Sequence, residues 1–173
     1  KPNNKRNEKI LAAKSEGDSV GGVLETLITG VPAGVGEPWF DTVEGMLSHA
    51  IFSIPAVKGI EFGLGFNFAD KKGSEANDQM YADGDSVKCY TNNNGGVIGG
   101  ITNGMPIVFR TVIKPTPTIS KEQKTVDIST MQNTTIAARG RHDPCIVHRA
   151  AVVVESVTAL VIADMLASKF GTD

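Results

Sequence analysis

The chain has 173 residues, a length that fits one domain with a hydrophobic core, residues 1–173 forming a single unit. Hydrophobic residues make up 40% and charged residues 21%, which is typical of a globular protein and excludes a disordered chain. The formal net charge is −2, so no overall positive field favours a nucleic-acid partner.

The first half of the sequence predicts two helices and two strands. Helical spacing of apolar residues indicates helices over residues 4–15 and 41–53, and β-branched or alternating residues indicate strands over 20–29 and 56–64. The glycine- and proline-rich residues 30–38 predict a loop. Trp39 and Phe40 follow this loop, and we expect them to anchor the core or to fill an interface.

The second half begins with a long polar excursion over residues 66–86. A strand over 87–90 comes next, and Asn103-Gly104 predicts a hairpin turn between strands 97–102 and 105–113. A weaker strand covers 124–128, and a last helix runs from Pro144 to about residue 169. Without strict βαβ alternation, this order predicts an α+β fold with a largely antiparallel sheet.

The most apolar segment, near residues 150–166, lies in the last predicted helix. Glu155 and Asp164 interrupt it, which favours a buried helix over a membrane span, and no membrane partner is predicted. The sequence starts without methionine or an apolar leader region, and no signal peptide is predicted. The expectation of a cytoplasmic protein comes from the two cysteines, which are typical of reduced thiols in a cytosol-like compartment.

Cys89 and Cys145 lie far apart in the sequence and are expected to be reduced thiols, with one disulfide as the alternative. The spacing of His142, Cys145 and His148 suggests zinc. Only Cys145 and His148 would share a helical face, however, and a fourth ligand is missing. We therefore predict no metal site.

The segment Lys114-Pro115-Thr116-Pro117-Thr118 points most directly to a binding site. Prolines fix their own φ and restrict the residue before them, so an extended backbone is expected here. Because side chains alternate along an extended segment, Lys114, Thr116 and Thr118 can point the same way. One cation and two hydroxyls on one side suit a phosphate group. The alternative is a proline-stiffened exit from a strand.

A second cluster, Gly140-Arg141-His142-Asp143-Pro144-Cys145, precedes the last predicted helix. Asp143 and Pro144 are typical of a helix start, with aspartate as the N-cap and proline at the first helical position. This geometry would also turn backbone N–H groups and Arg141 toward an anion. A catalytic Asp143 is the alternative to the cap.

The third cluster, Gly95-Gly96-Val97-Ile98-Gly99-Gly100, has little side-chain bulk. Such a segment lets a flat or phosphorylated ligand approach the backbone closely. It is not the dinucleotide-binding fingerprint, because the spacing differs and a strand follows where a helix is required. The alternative is a bulged or tightly packed strand.

Taken together, these motifs closely resemble the C-terminal half of chorismate synthase. The matching segments follow one another in the family's order and cover nearly the whole chain. They are GDSVGG at residues 17–22, PAGVGEP at 32–38, SIPAVKG at 53–59, GGVIGGI at 95–101, Asn103-Gly104, KPTPT at 114–118 and GRHDPC at 140–145.

The resemblance implies a lyase of the shikimate pathway, which supplies aromatic amino acid biosynthesis. Such an enzyme converts 5-enolpyruvylshikimate 3-phosphate to chorismate and phosphate by a 1,4-anti elimination. It requires reduced FMN, with NADPH associated, although the reaction involves no net redox change. The implied fold is a β-α-β sandwich, and the implied assembly is a cytoplasmic homotetramer.

The resemblance also assigns site residues. Asp143 is implied to be the catalytic residue, near flavin N5 and the substrate, where it helps the proton removed from C6 reach the flavin. Some relatives have asparagine at the position of Pro55, so a side-chain contact with FMN is not expected there. The implied FMN-binding residues are Pro55, Ala56, Gly99, Lys114, Pro115, Thr116, Pro117, Thr118 and Arg141.

The sequence departs from the family in length. Family members are much longer, and their N-terminal half carries the catalytic histidines and most of the substrate-binding arginines. We therefore expect a fragment that is inactive alone and that self-associates through apolar surface left uncovered. The alternative is a non-catalytic flavin-binding or scaffold module.

Overall fold

The computed structural model describes residues 2–171, with side chains from residue 5 onward. The described residues form helices and antiparallel sheets, which confirms the predicted α+β class. The helices are α1 (Pro2–Ser15), α2 (Val43–Phe52), α3 (Gly73–Ala76) and α4 (Val147–Phe170). The strands are β1 (Gly22–Ile28), β2 (Val57–Phe62), β3 (Met80–Asp83), β4 (Ser86–Cys89), β5 (Val97–Ile98), β6 (Ile101–Thr102), β7 (Ile107–Ile113), β8 (Gln123–Asp127) and β9 (Gln132–Ile136).

Strand β7 is the centre of the main sheet, whose order is β1-β7-β2 with both pairings antiparallel. Alternate β7 side chains are buried, as expected for a strand with one face on the core. Phe109 is fully buried there and packs on Phe62 of β2 with ring centroids 5.5 Å apart. Helices α2 and α4 cover this face, and the side chains of Leu47 and Val154 join its hydrophobic core.

Helix α4 is buried along one face only, so the expectation of a buried helix is wrong for its other face. Its inward side chains include Val154, Ile162 and Met165, whereas Val152 is 62% and Leu160 71% exposed. The helix is long and apolar enough to cross a membrane, yet it packs on α2 and β1. The charged side chains of Glu155 and Asp164 lie on the exposed face of the helix. They are therefore typical of a helix with one buried face and one exposed face.

The predicted hairpin at Asn103-Gly104 is also wrong. Strand β5 pairs with β6 through a turn at Gly99 and Gly100, and β7 pairs instead with the distant strands β1 and β2. The Asn103 side chain accepts the backbone N–H of Met105 at 3.0 Å, which makes a local turn. Pairing in the central sheet satisfies both edges of the long apolar strand, which a two-stranded hairpin leaves half unpaired.

Two strands escaped prediction altogether. Strand β3 lies inside the polar excursion, and β9 pairs with β8 to make a hairpin whose side chains are all exposed. Neither strand has the alternation of apolar and polar residues that marks a strand with one buried face.

Gly95 lies where two backbone segments touch. Its φ is +65°, and a Cβ built on it would lie 2.6 Å from the carbonyl oxygen of Val108 and 2.5 Å from the amide nitrogen of Gly63. Gly84, in the β3–β4 turn, has a similar φ of +60° but nothing within 4 Å of a Cβ. The two glycines therefore share the same backbone requirement and differ in packing.

We expect Gly95→Ala to destabilise the fold much more than Gly84→Ala. In both variants, an alanine in the left-handed conformation lowers the free energy of unfolding by roughly 1 kcal/mol. Only Gly95→Ala also overpacks its surroundings, which lowers it by about 1–3 kcal/mol more. Thermal unfolding monitored by circular dichroism measures both. Equal losses in the two variants would show that the approach of Gly95 to Val108 and Gly63 is not tight.

Candidate functional site

The Lys114 segment leaves β7 next to the exit of helix α2. The backbone N–H of Lys114 donates to the carbonyl of Ala56 at 2.9 Å, one step beyond the pairing of Val57 with Ile113. Ala56 has a φ of +73°, an uncommon conformation for a residue with a side chain. The predicted cofactor residues Pro55 and Ala56 therefore lie beside Lys114.

Two consecutive residues ahead of β1 connect the Lys114 segment to the second cluster. The Ser19 hydroxyl donates to the carbonyl of Thr116 at 2.6 Å, and the N–H of Val20 donates to the carbonyl of Pro144 at 2.8 Å. Pro144 directly follows Asp143 in the chain. The structure therefore brings both sequence clusters to the same end of β7.

Arg141 reaches this region by another route. After strand β9, the N–H of Ala138 donates to the carbonyl of Ile119 at 3.0 Å. This bond returns the chain to the residue that follows Thr118, and Arg141 comes three residues later. Its side chain is exposed. We call the joined residues 55–56, 114–118 and 141–143 the β7-exit cluster.

A charged clamp holds the base of this cluster. Lys121 Nζ lies 2.8 Å from the Asp18 carboxylate and 3.1 Å from that of Glu16. The Asp18 carboxylate accepts a hydrogen bond from the Lys121 ammonium and another from the backbone N–H of Ser19. These two bonds hold the pKa of Asp18 below its ordinary value. The segment that carries Ser19 and Val20 is thereby fixed to the loop after Thr118.

The β7-exit cluster contains polar groups without partners among the described residues. Thr116 Oγ1 and His142 Nε2 are buried and make no hydrogen bond there. Neither Lys114 nor Arg141 forms an ion pair with a described residue. Buried polar groups are costly when left unsatisfied, so two free cations and two unsatisfied groups fit an anionic ligand with several acceptor oxygens.

Asp143 does not cap helix α4, which corrects the predicted N-cap. The helix begins at Val147 with Ile146 as its N-cap residue, three positions later than expected. The bond from Val20 to the Pro144 carbonyl holds this stretch against the start of β1. The Asp143 carboxylate instead lies 2.7 Å from the guanidinium of Arg149, and its side chain is about one-third exposed. The Asp143 carboxylate is thus partly exposed and accessible to a ligand.

Gly99 is the predicted cofactor residue that the structure does not bring into this cluster. The β5–β6 turn lies near the start of β7, because the N–H of Asn103 donates to Gly96 and the N–H of Val108 to Gly95. The length of β7 separates the two ends by roughly 20 Å. At the turn, Gly99 is exposed, with a φ of +60° and nothing within 4 Å of a Cβ. Its backbone is open to close approach.

Trp39 and Phe40 are not core anchors. They are 84% and 86% exposed and pack edge-to-face with ring centroids 6.3 Å apart. The expectation that they fill an interface stays a prediction.

Sequence reasoning missed the bridging role of Ser19 and Val20. It also gave no structural reason for Gly21, where a Cβ would collide with the carbonyl of Ile113 and with Pro115. The signal was the Gly21-Gly22 pair, which is typical of close backbone packing. Beside these residues, between α1 and β1, lies a cavity of about 350 Å³ whose lining includes three basic residues, Lys5, Arg6 and Lys9.

The family model described as chorismate synthase matches residues 1–167. The chain belongs to the chorismate synthase family. It is 53% identical over 155 residues to a chorismate synthase of Korarchaeum cryptofilum, covering 90% of this chain and 43% of that protein. It is 52% identical over 164 residues to one of Methanosarcina mazei, covering 94% of this chain and 45% of the relative.

A solved structure titled "Crystal Structure of Chorismate Synthase" superimposes with a TM-score of 0.79 at 36% identity. The match covers 98% of this chain and 44% of that chain. It confirms both the resemblance and the fold class, an α+β fold of the chorismate synthase type. The chain therefore spans less than half the length of the chorismate synthases that it matches.

Proposed function

We propose that the full-length parent of this chain converts 5-enolpyruvylshikimate 3-phosphate to chorismate by a 1,4-anti elimination. The C3–O bond breaks, phosphate leaves, and the C6 hydrogen is lost as the second double bond forms. The observation that carries this proposal is identity above one half to chorismate synthases across nine-tenths of the chain. The chemistry of the β7-exit cluster supports it independently.

Reduced FMN is the proposed cofactor, and when bound its reduced ring would supply electron density to the elimination. Lys114, Thr116, Thr118 and Arg141 would hold its phosphate through one ammonium, two hydroxyls and a guanidinium. Pro115 and Pro117 keep the segment extended between these groups. Pro55 and Ala56, fixed beside Lys114, would contact the flavin through their backbone and apolar surface. Gly99 would contribute a backbone contact from outside the cluster.

Asp143 is the proposed catalytic residue. Its carboxylate would accept the proton that leaves C6. Asp143 belongs to the same β7-exit cluster as the proposed cofactor-binding residues. The ion pair with Arg149 orients the carboxylate without burying it. Substrate-binding arginines and catalytic histidines would come from the rest of the parent, and this chain alone would be inactive.

The proposed assembly is a cytoplasmic homotetramer of the parent, with NADPH as the associated reductant. The exposed apolar side chains of α4, Trp39 and Phe40 support association with another protein surface.

We expect Lys114→Ala to weaken FMN binding by about ten-fold to a hundred-fold, because an ammonium–phosphate hydrogen bond contributes roughly 1.5–3 kcal/mol. Quenching of flavin fluorescence during titration of this chain measures the affinity. The control is Lys124→Ala, an exposed lysine on β8. Equal affinities in the wild type and Lys114→Ala would contradict the phosphate assignment.

In the parent, Asp143→Asn should reduce turnover by at least about a hundred-fold, the order expected for loss of an acid–base group. Its unfolding free energy should fall by less than about 1 kcal/mol, because the ion pair with Arg149 is partly exposed. Arg149→Gln is the control, since it breaks the same pair and keeps the carboxylate. Equal rate losses in both variants would assign the effect to the ion pair and not to proton transfer.

This chain alone should form no measurable chorismate from 5-enolpyruvylshikimate 3-phosphate and reduced FMN. Addition of the missing portion of a closely related chorismate synthase as a separate polypeptide should restore activity. Product absorbance in a stopped anaerobic assay tests both statements. Turnover by the chain alone would show that the β7-exit cluster is a complete active site.

A further inference from the structure

Asp78 is a buried carboxylate that the proposed mechanism does not use. It lies just before β3 and is only 8% exposed. One oxygen accepts the Thr91 hydroxyl at 2.6 Å and the N–H of Asn93 at 2.7 Å. The other accepts the N–H of Asn94 at 2.9 Å and the Asn94 side-chain amide at 2.8 Å. Four donors from residues 91–94 therefore converge on one side chain.

These bonds outweigh the cost of burying a charge. Burial alone would raise the pKa of Asp78, but the bonds from Thr91, Asn94 and Asn93 together hold it below its ordinary value. The carboxylate therefore stays ionised, and it accepts hydrogen bonds at both oxygens without a cationic partner among the described residues.

The segment that Asp78 holds is packed on both sides. The carbonyl of Asn93 accepts the N–H of Leu64 at 2.8 Å, and the carbonyl of Gly96 accepts the N–H of Asn103 at 3.0 Å. Gly95 then passes against Val108 with no room for a side chain. Residues 91–96 lead into β5 and form the first arm of the β5–β6 turn. Their bonds to Asp78, Leu64 and Asn103 thus fix this arm.

A second buried polar group fixes the other arm. The Thr102 hydroxyl donates to the carbonyl of Pro32 at 2.6 Å and accepts the N–H of Val35 at 2.9 Å. Between the two arms, the carbonyl of Gly100 accepts the N–H of Val43 at the start of α2. At the tip of the turn, a Cβ built on Gly99 would have nothing within 4 Å. A turn anchored on both arms with an open glycine at its tip is built to present backbone to a ligand.

We propose that Asp78 is a positioning residue that fixes the first arm of the β5–β6 turn and so presents the Gly99 backbone to the flavin. The flavin contact rests on the proposed function, whereas the hold on the turn does not. Asp78 itself touches no ligand and acts through Asn93 and Asn94.

The test is Asp78→Asn in this chain, a substitution that keeps the shape but loses one acceptor oxygen. Amide hydrogen exchange should accelerate at least ten-fold at Leu64 and Asn103, whose acceptors lie on the held arm. Exchange at Phe109 in the core should stay unchanged. The FMN dissociation constant, measured by fluorescence titration, should rise at least ten-fold.

The matched control is Asp127→Asn, an aspartate that accepts the N–H and hydroxyl of Ser129 in the β8–β9 turn. It should alter exchange only near Ser129 and leave FMN affinity unchanged. Unchanged exchange at Leu64 and Asn103 in Asp78→Asn would overturn the hold on the turn. Faster exchange with unchanged FMN affinity would overturn the positioning role.

A further variant, Gly99→Val, separates this proposal from the proposed function. If it binds FMN as tightly as the wild type, the flavin contact of Gly99 is wrong and so is the positioning role. If the wild-type chain binds no FMN, the proposed cofactor site of this chain fails, while the exchange measurements still decide whether Asp78 holds the turn.

Discussion

The pairing of β7 on both edges is the constraint on which the rest of the structure depends. Its neighbours β1 and β2 come from segments far away in the sequence, and both run antiparallel to it. Pairing with β2 places Ala56 beside Lys114, and pairing with β1 places Ser19 and Val20 within reach of the next loop. The β7-exit cluster therefore arises from sheet register, because none of its segments is adjacent in sequence.

Elements with strong local patterns could be predicted from the sequence. Helix α2 and strand β1 appear close to the expected bounds, since apolar periodicity is a local property. Partner choice is not local. The Asn103-Gly104 pair is a strong hairpin signal, but burial of Phe109 and of its neighbours between two long strands outweighs a two-residue turn. The strand propensity of residues 105–113 thus predicted β7, but it could not predict which strands pair with it.

The candidate site divides in the same way. Residue chemistry alone indicated an anion site at Lys114 and Thr116, and that site stays a prediction. The cap at Asp143 was wrong because cap signals describe an isolated helix, whereas a tertiary bond at Pro144 delays the start of α4. Asp78 carried no signal at all. A buried carboxylate among polar residues looks like surface until its four donors are seen together.

Two close backbone approaches, one at each end of β7, each depend on a glycine. At the exit of β7, Gly21 allows Pro115 to pass close to β1, and near its start Gly95 lets another segment cross Val108. Each crossing brings a loop over the end of the sheet where a side chain would block it. Helix α2 runs between these regions, with Gly100 bonded at its start and Ala56 four residues after its end. A rigid helix and a central strand of similar length, roughly 15–20 Å, thus hold the open Gly99 tip and the cationic cluster at a fixed separation.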